Sequence, residues 1–225
     1  MTVKPRVPEG GAIEDTNQMS MEDYSEIMKK RLGGEYIKFA ENVINKVYPF
    51  KNSKVLEIGP GPGWAGINVL KMREDLYLDG LEASTDMVRV ATQNAALENL
   101  SDRTKYFHGI GEDMKTLPDD DYDLVISRDS MHHWDYPEQV FLEISRVLKK
   151  NGKLYIHDSR RDLNIGGKLI VNIFGHFMAG KMLKYWKSSI AASYTPEEIS
   201  KMLEKNGLND WIVEADLMDL SIQKR

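Results

Sequence analysis

The chain has 225 residues and a formal net charge of −5, which fits one large domain with a sizeable core and argues against a general binder of polyanions. Hydrophobic residues make up 41% and charged residues 29%, a mixture too polar for a membrane span. Because the first residues also lack the apolar core of a signal peptide, we expect a cytoplasmic location. The absence of cysteine excludes disulfide bonds, thiolate zinc sites and a cysteine nucleophile, and the sequence predicts no metal site.

The N-terminal part of the chain is predicted to form an arm followed by two helices. Residues 1–18 are rich in Pro, Gly and polar side chains without apolar periodicity, so we expect them to be ordered only where they dock. Helical patterns follow at Ser20 to Lys30 and Glu35 to Val47, with a predicted break at the Gly33–Gly34 pair. We therefore treat residues 1–48 as a unit that caps the site of the main domain.

From Lys54 onward, short strand-like runs alternate with helical stretches. The strand-like runs read KVLEI, LYLDGL, TKYFHG, YDLVIS and GKLYIHD, and the helical stretches are Ala65–Met72, Asp86–Leu97 and Pro137–Lys149. The last run, WIVEADLMDLSIQKR, holds two strand-like segments without a helix between them, so one of the pair should be antiparallel. The predicted fold is therefore α/β: a Rossmann-like, doubly wound, seven-stranded sheet, mostly parallel with one antiparallel strand, and with helices on both faces.

A longer insertion separates the fifth strand from the last predicted helix. It covers residues 160–193 of a main domain that we expect to span residues 49–225. The helix that follows has Thr195 as its N-cap, Pro196 at its first position and Gly207 at its end. Because the insertion follows a parallel strand, it should emerge at the carboxyl edge of the sheet, where ligands bind in such folds.

A carboxylate and a glycine loop mark the end of the first predicted strand, in the stretch VLEIGPGPGW. Glycines at the carboxyl end of a parallel strand let the backbone approach a ligand closely. A G-x-G-x-x-G pattern at Gly61, Gly63 and Gly66 matches the dinucleotide fingerprint, which leaves NAD open on the glycines alone. Glu57 favours another ligand, because a carboxylate buried near a strand end costs several kcal/mol unless a cationic group pairs with it.

The stretch LEIGPGPGW resembles motif I of the class I S-adenosylmethionine-dependent methyltransferases. The resemblance extends over residues 36–225 and is to a small-molecule type similar to the menaquinone and ubiquinone C-methyltransferases. It implies S-adenosylmethionine as cofactor and S-adenosylhomocysteine as product, with Glu57 near the methionine ammonium, directly or through water. The loop residues implied to wrap the cofactor are Gly59, Pro60, Gly61 and Gly63.

Other stretches match the same family in order along the chain. LEAS places Glu82 at the end of the second strand, and the resemblance implies that this carboxylate takes both ribose hydroxyls. GEDMKTLP resembles the third-strand signature and implies Asp113 against the adenine amine, with the Met114 backbone amide facing the ring. The remaining residues implied to lie at the cofactor are Ala83, Met87, Gly111, Glu112 and Arg128.

Two histidines just after the fourth predicted strand are candidates for the chemistry. Methyl transfer from a sulfonium is an in-line displacement that needs alignment and, for some acceptors, a base. His132 is a candidate base or substrate ligand, because a histidine titrates near neutral pH. His133 is also a candidate, although related sequences resemble "LHHL" here and the second histidine is expected to act mainly on stability.

Two absent motifs narrow the acceptor. No N-P-P-Y-like tetrapeptide follows the fourth strand, and no cysteine is present for attack on a pyrimidine ring, so nucleic acid is an unlikely acceptor and a small molecule is expected. The acceptor atom and the oligomeric state stay open. Two alternatives also stay open: an enzyme of the same fold that uses the cofactor for another transfer, such as aminopropyl transfer, and a non-catalytic protein that binds S-adenosylmethionine.

The insertion is predicted to form a lid over the transferred methyl group. Its apolar residues recur at helical spacing, and between Arg146 and Lys187 ten basic residues stand against two acids, a local charge of about +8. This charge suggests an anionic acceptor, with a lipid-like or membrane-surface substrate as the alternative. The residues expected near the acceptor are His176, Tyr185 and Tyr194 on the lid side, and Tyr24 on the N-terminal helix that closes the other side.

Overall fold

The computed structural model describes residues 3–8, 19–174 and 183–224, and it contains one sheet of seven strands. The strands lie in the order β3-β2-β1-β4-β5-β7-β6, and β7 is antiparallel to both of its neighbours. The predicted seven-stranded, mostly parallel sheet with one antiparallel strand is confirmed. The strands are β1 (Lys54–Ile58), β2 (Tyr77–Glu82), β3 (Thr104–His108), β4 (Tyr122–Arg128), β5 (Leu148–Ser159), β6 (Trp211–Ala215) and β7 (Asp219–Lys224).

Helices cover both faces of this sheet. They are α1 (Met21–Asn42) with a π-helical turn at Val43–Val47, α2 (Trp64–Met72), α3 (Thr85–Leu97), a 3-10 turn at Met131–His133, α4 (Pro137–Val147), α5 (Ile165–Leu169) with a π-helical turn at Ile170–Phe174, α6 (Leu183–Ala192) and α7 (Pro196–Lys205). Side-chain caps explain where several of them begin. Ser84 accepts from the Met87 amide, and Thr195 and Glu198 form a reciprocal capping box. Such caps contribute about 1 kcal/mol each.

Alternate residues of the central strands supply two separate apolar layers. Leu56 and Ile58 of β1 belong to the cluster that α4 and α7 cover, whereas Val55 belongs to the cluster under α1, α2 and α3. All three side chains are buried, and each contributes roughly 1.5–3 kcal/mol of burial free energy. By the same alternation Glu57 points to the α2 side, into an otherwise apolar layer.

The predicted break at Gly33–Gly34 is wrong, because α1 runs without interruption from Met21 to Asn42. Two glycines in a helix cost about 1 kcal/mol each relative to alanine, which local propensity alone does not offset. Tertiary packing offsets it here: Ser25 is buried in the first half of the helix, and Tyr36 and Phe39 are buried in the second half, against α2 and α3.

The other differences from the predicted elements are at boundaries and in the insertion. The fourth helix ends at Val147 rather than Lys149, because Leu148 already pairs with Tyr122 as the first residue of β5. The insertion contains α5 and α6, with residues 175–182 outside the described part of the chain. Among the described helices, none combines the length and apolar character needed to cross a bilayer.

We predict opposite effects of alanine at two helical glycines. A Cβ at Gly33 would have no neighbour within 4 Å, so Gly33→Ala should stabilise the protein by about 0.5–1 kcal/mol through helix propensity. A Cβ at Gly66 would lie 2.2 Å from Glu57 Oε2 and 2.5 Å from Leu78 Cδ1, both buried, so Gly66→Ala should destabilise by about 1–3 kcal/mol. Urea unfolding of the two variants measures both effects, and equal effects would contradict the described packing.

Candidate active site

The glycine loop between β1 and α2 adopts a backbone that other residues rarely take. Gly59, Gly61 and Gly63 have φ angles of +63°, +53° and +85°. At Gly59 a side chain is also excluded sterically, since a Cβ would lie 2.0 Å from the Ser130 hydroxyl oxygen. At Gly61 a Cβ would have nothing within 4 Å, so this residue faces open space where a ligand can approach the backbone. Pro60 is buried beside the loop.

Glu82 ties the glycine loop to the turn that begins α3. One carboxylate oxygen accepts from the Gly61 amide at 2.9 Å, and the other accepts from the Ser84 amide at 2.9 Å. A carboxylate has about four acceptor positions, so each oxygen keeps one for a further donor. The carboxylate lies at the carboxyl end of β2, on the same edge of the sheet as the glycine loop.

Glu57 is almost fully closed off from solvent, with 1% of its surface exposed. Its Oε1 accepts from the Gly66 amide at 3.1 Å, in the first turn of α2, where the helix dipole favours a negative charge. Burial nevertheless raises the pKa of Glu57 to about 8 against the effect of the Gly66 amide, and the Glu82 carboxylate adds to the rise. A side chain enclosed in this way supports the glycine loop from behind, at the start of α2.

Two buried polar atoms behind the glycine loop have no hydrogen-bond partner within the described part of the chain. They are Glu57 Oε2 and the Tyr106 hydroxyl, and burial, with the nearby Glu57, raises the pKa of Tyr106 well above its usual value. A Cβ on Gly63 would lie 3.0 Å from the Tyr106 hydroxyl, and one on Gly66 would lie 2.2 Å from Glu57 Oε2, so both atoms lie directly under the loop. Unsatisfied buried polar atoms next to a ligand loop fit a site that is completed by water or a cationic group.

The residues expected at the adenine divide into two groups. Asp113 is half exposed and pairs with Lys115 at 3.2 Å, so its carboxylate can reach a ligand amine. The Met114 side chain is fully buried, and its amide donates to Glu143 Oε2 at 2.9 Å. The Met114 N–H thus has a protein partner in this structure, and its expected contact with the adenine ring stays a prediction. Met87 is buried at the start of α3.

Three further residues of the expected set differ in their surroundings. Glu112 accepts from the Asp135 and Tyr136 amides at 3.1 and 3.4 Å, so it fixes the loop before α4. Gly111 is buried, and a Cβ there would lie 3.1 Å from Val140, so close packing requires the glycine. Ala83 is exposed. The structure thus gives Gly111 and Glu112 a structural reason for their identity.

Arg128 lies at the carboxyl end of β4 beneath α1. Its side chain is buried and forms an ion pair with Asp129 at 2.8 Å. The guanidinium also lies over the ring of Tyr36, and its carbon is 4.8 Å from the ring centroid. Burial raises the pKa of the Tyr36 hydroxyl, Arg128 opposes this rise, and Tyr24 and Asp129 add to it. These groups therefore converge on one place, where α1 covers the edge of the sheet next to the glycine loop.

His132 forms a buried pair with Asp158 of β5. His132 Nδ1 donates to Asp158 Oδ1 at 2.8 Å, and the His132 amide donates to Oδ2 at 2.9 Å. Although burial alone would raise the pKa of Asp158, the electrostatic interaction with His132 and these hydrogen bonds hold it below its usual range. With Nδ1 bound to a carboxylate, Nε2 is the basic nitrogen of the ring. The His133 ring packs against that of His132 at 4.1 Å between centroids.

Residues 3–8 dock beside this pair through Arg6. Arg6 Nε donates to the Ala192 carbonyl at 2.6 Å, and Nη2 donates to the His132 carbonyl at 2.8 Å. The guanidinium also lies 4.4 Å from the centroid of the Tyr194 ring. A backbone bond from Val7 to the Ala191 carbonyl adds to these contacts. The N-terminal segment therefore fastens the end of the insertion to the loop that carries His132.

The residues expected on the lid side have different outcomes. Tyr194 is buried and donates to the Trp134 carbonyl at 3.2 Å, close in the chain to His132. Tyr185 is half-buried on α6. His176 lies outside the described residues. In α5 and the turn after it, Ile165, Leu169 and Ile173 are spaced four residues apart and are all exposed, which gives this face of the insertion an apolar stripe.

The local charge of about +8 is divided between the insertion, which holds six of the ten basic residues, and the region where β5 begins. Four of its ten basic residues precede or begin β5, which places them toward the edge of the sheet opposite the glycine loop. Four of the ten are neutralised by carboxylates. These pairs are Arg146 with Glu143, Lys149 with Asp123, Arg160 with Asp162, and Arg161 with Glu198. The charge count along the chain therefore overstates the positive charge of the region, and the anionic acceptor stays a prediction.

Sequence reasoning missed three residues of this region. Asp158 ends an apolar strand run in the same way as Glu57, so the same signal would have found it. Tyr36 lies in a helical pattern that does not show which face covers a site. Arg6 is 126 residues from its partner His132, and no local pattern indicates such a contact. Among the described residues, no group of three or more His, Asp or Glu side chains could hold a metal ion.

The sheet and its glycine loop are typical of enzymes that bind a cofactor containing a nucleoside. The relatives of this chain identify the family. Residues 56–156 match a methyltransferase domain family. YdaC of Bacillus subtilis, an uncharacterized methyltransferase, is 30% identical over 127 residues, which cover 54% of this chain and 67% of YdaC. The match to YcgJ of the same organism covers only 40% of that protein.

Longer matches agree with this domain. A demethylmenaquinone methyltransferase from Porphyromonas gingivalis is 24% identical over 176 residues, 76% of this chain and 70% of the relative. A solved structure from Methanococcus maripaludis, assigned to the S-adenosyl-L-methionine-dependent methyltransferases, superposes with a TM-score of 0.70 at 25% identity and covers 91% of this chain and 90% of that one. The chain belongs to the class I S-adenosylmethionine-dependent methyltransferases, and its cofactor is S-adenosylmethionine.

The buried Glu57 carboxyl should make stability depend on pH. Its pKa in the folded protein, about 8, lies above the usual 4.5, so the folded protein binds this proton more tightly than the unfolded chain. The stabilisation is present below about pH 4.5 and is lost as the pH rises toward 8, by up to about 1.4 kcal/mol per unit. The Glu57→Gln variant lacks this loss. Its free energy of unfolding should therefore increase relative to that of the wild type as the pH rises from about 5 to about 8.

Urea unfolding at several pH values within this window measures the difference. Glu74→Gln is the matched control, because Glu74 is an exposed acid and should leave the pH profile of the wild type unchanged. A difference between Glu57→Gln and wild type that stays constant with pH would show that Glu57 is ionised in the folded protein.

Proposed function

We propose that this methyltransferase transfers the methyl group to a hydroxyl group of an apolar small molecule, with His132 as the base. The observation that carries the proposal is the buried hydrogen bond between His132 Nδ1 and Asp158 at the carboxyl edge of the sheet. Asp158 holds the imidazole so that Nε2 can take the proton of the acceptor hydroxyl as the new bond forms. The asparagine-proline motif of amino-group methylation is absent from the corresponding loop.

The cofactor is proposed to lie along the carboxyl ends of β1, β2 and β4. Gly61 offers open backbone, and Glu82 keeps acceptor positions for the two ribose hydroxyls. Asp113 is proposed to accept from the adenine amine. Glu57 is proposed to act on the methionine end only through the loop or through a water, because it is closed off from the cleft. When bound, the cofactor supplies an electrophilic methyl group.

Arg128 and the groups around it are proposed to form the methionine end of the site. The buried guanidinium, held by Asp129 and by the ring of Tyr36, is proposed to offer its remaining N–H donors near the edge where a cofactor carboxylate would lie. Tyr24 is on the same helix and is proposed to close this side. Exclusion of water by α1 strengthens each of these electrostatic contacts.

The acceptor is proposed to be apolar rather than anionic. Most of the basic residues that suggested an anion are paired with carboxylates or lie toward the opposite edge of the sheet, whereas the exposed face of α5 carries an apolar stripe. The relative from Porphyromonas gingivalis is named for demethylmenaquinone, which is consistent with such an acceptor. Family membership favours methyl transfer over the two alternatives, another transfer and binding without catalysis.

We predict that Glu82 contributes to the free energy of cofactor binding by accepting hydrogen bonds from the ribose hydroxyls. Glu82→Ala should weaken S-adenosylhomocysteine binding by tenfold or more, since a charge-assisted hydrogen bond contributes about 1.5–3 kcal/mol. Calorimetry with the 2′-deoxy analogue separates this contact from loop support. The analogue should bind the wild type more weakly than the parent ligand, and the two ligands should bind Glu82→Ala almost equally. If the variant still prefers the parent ligand as strongly as the wild type does, the assignment of Glu82 to the ribose is wrong.

The base assignment predicts a selective loss of turnover. With a labelled-methyl assay over a panel of apolar hydroxyl compounds and their carboxylated counterparts, His132→Ala should lower turnover by about 10²-fold or more. Asp158→Asn should also lower it, because the imidazole loses its orienting partner, while calorimetry should show cofactor binding nearly intact in both. His133→Ala is the matched control and should act mainly on stability. Undiminished turnover in His132→Ala, or transfer only to the carboxylated compounds, would contradict the proposal.

A further inference from the structure

A basic cavity lies toward the edge of the sheet opposite the glycine loop. Its volume is about 330 Å³, within the range of small-ligand pockets. Four lysines and one acid, Asp210, contribute its charged side chains. The lysines are Lys46, Lys150, Lys153 and Lys224. Two of them belong to the basic run that the proposed active site does not use.

An irregularity in β5 creates one wall of this cavity. Leu148 pairs with Tyr122 and Lys153 pairs with Leu124, so residues 149–152 are accommodated opposite a single residue of β4. This extra length turns Lys150 and Gly152 into the cavity wall. Lys224 reaches the same place because β7 is antiparallel to β5 and its last pair, Gln223 with Tyr155, lies just beyond the irregular residues of β5.

Two of the four cavity lysines are held in position by backbone carbonyls. Lys153 Nζ donates to the Val47 carbonyl at 2.7 Å, and Lys224 Nζ donates to the Lys150 carbonyl at 3.1 Å. Within the described part of the chain, no carboxylate forms an ion pair with any of the four. By contrast, Arg146 is paired with Glu143 and Arg160 with Asp162. Ammonium groups fixed by carbonyls keep further donors for an anion.

Tyr48 lines the same cavity in an uncommon conformation. Its φ is +54°, a left-handed geometry where glycine or asparagine is usual, and 68% of its surface is exposed. An exposed aromatic ring beside fixed ammonium groups is the combination that binds a base together with its phosphate. The strain and the exposure both go against stability, so a binding role accounts for the residue better than packing does.

We propose that this cavity binds a nucleotide, with the cavity lysines on its phosphates and the Tyr48 ring against its base. The site is separate from the cofactor site and does not depend on the proposed acceptor. A free nucleotide and the end of a nucleic-acid strand share this chemistry. The cavity is concave and small, which favours one nucleotide unit over an extended acidic protein surface.

The test uses the full chain saturated with S-adenosylhomocysteine, so that the adenosine pocket of the active site is filled. ADP, pyrophosphate, a six-nucleotide RNA and oligoglutamate are titrated in turn by calorimetry. ADP should bind, and Lys150→Glu with Lys224→Glu should lower its affinity about tenfold or more. Lys30→Glu with Lys105→Glu is the charge-matched control, because both are exposed lysines outside the cavity, and it should change the affinity less than twofold.

Tyr48 provides an independent readout. Tyr48→Gly relieves the backbone strain, so it should maintain or raise the midpoint of thermal unfolding. It should lower the affinity for ADP about fivefold or more and leave the affinity for pyrophosphate unchanged. In the wild type, amide resonances of residues 150–153 should shift with ADP, and that of Gly61 should not. S-adenosylhomocysteine binding in each variant checks that it is folded.

The outcomes separate the possible ligands. RNA binding tighter than ADP assigns the site to a strand end, and ADP binding equal to or tighter than RNA assigns it to a free nucleotide; both support the proposal. No ADP binding, binding that survives reversal of the two lysines, or oligoglutamate binding as tight as that of ADP would overturn it.

Discussion

The shared direction of β1, β2, β4 and β5 is the constraint on which the rest of the structure depends. Because these strands are parallel, their carboxyl ends meet at one edge, and residues that are far apart in the chain become neighbours there. Glu82, Arg128 and Asp158 reach this edge from three different strands. Each is then fixed by backbone amides or by a charged partner, which gives the edge a rigid arrangement of charges.

The groups that hold this edge rigid include buried polar atoms that lower the stability of the fold. Glu57 is buried in an apolar layer with one oxygen unsatisfied, and the Tyr106 hydroxyl beside it has no partner either. Replacing both by apolar side chains would relieve that penalty, but the Gly66 amide would then lose its acceptor at the start of α2. The polar pair thus exchanges some stability for a fixed glycine loop, as local strain at functional sites commonly does.

The sequence predicts those features that depend on local chemistry. Strand β1 begins and ends at the predicted residues, and the mostly parallel seven-stranded sheet, the glycine loop and the family follow from runs whose spacing is set by one strand and one helix. Features decided by tertiary contacts escaped prediction. Helix α1 continues through Gly33–Gly34 because tertiary packing outweighs helix propensity. The basic residues between Arg146 and Lys187 divide between two edges of the sheet because β5 runs from one edge to the other. The contact of Arg6 with His132 has no local signature.

The central claim is that one edge of the sheet holds the cofactor through the loop and Glu82 and presents its methyl group toward His132. A crystal structure of the full chain with S-adenosylhomocysteine tests this most directly. The account predicts both ribose hydroxyls within about 3 Å of the Glu82 carboxylate, the homocysteine beside Gly61 and its sulfur directed toward the pocket of His132. A ribose that lies away from Glu82, or a sulfur that points away from His132, would contradict it.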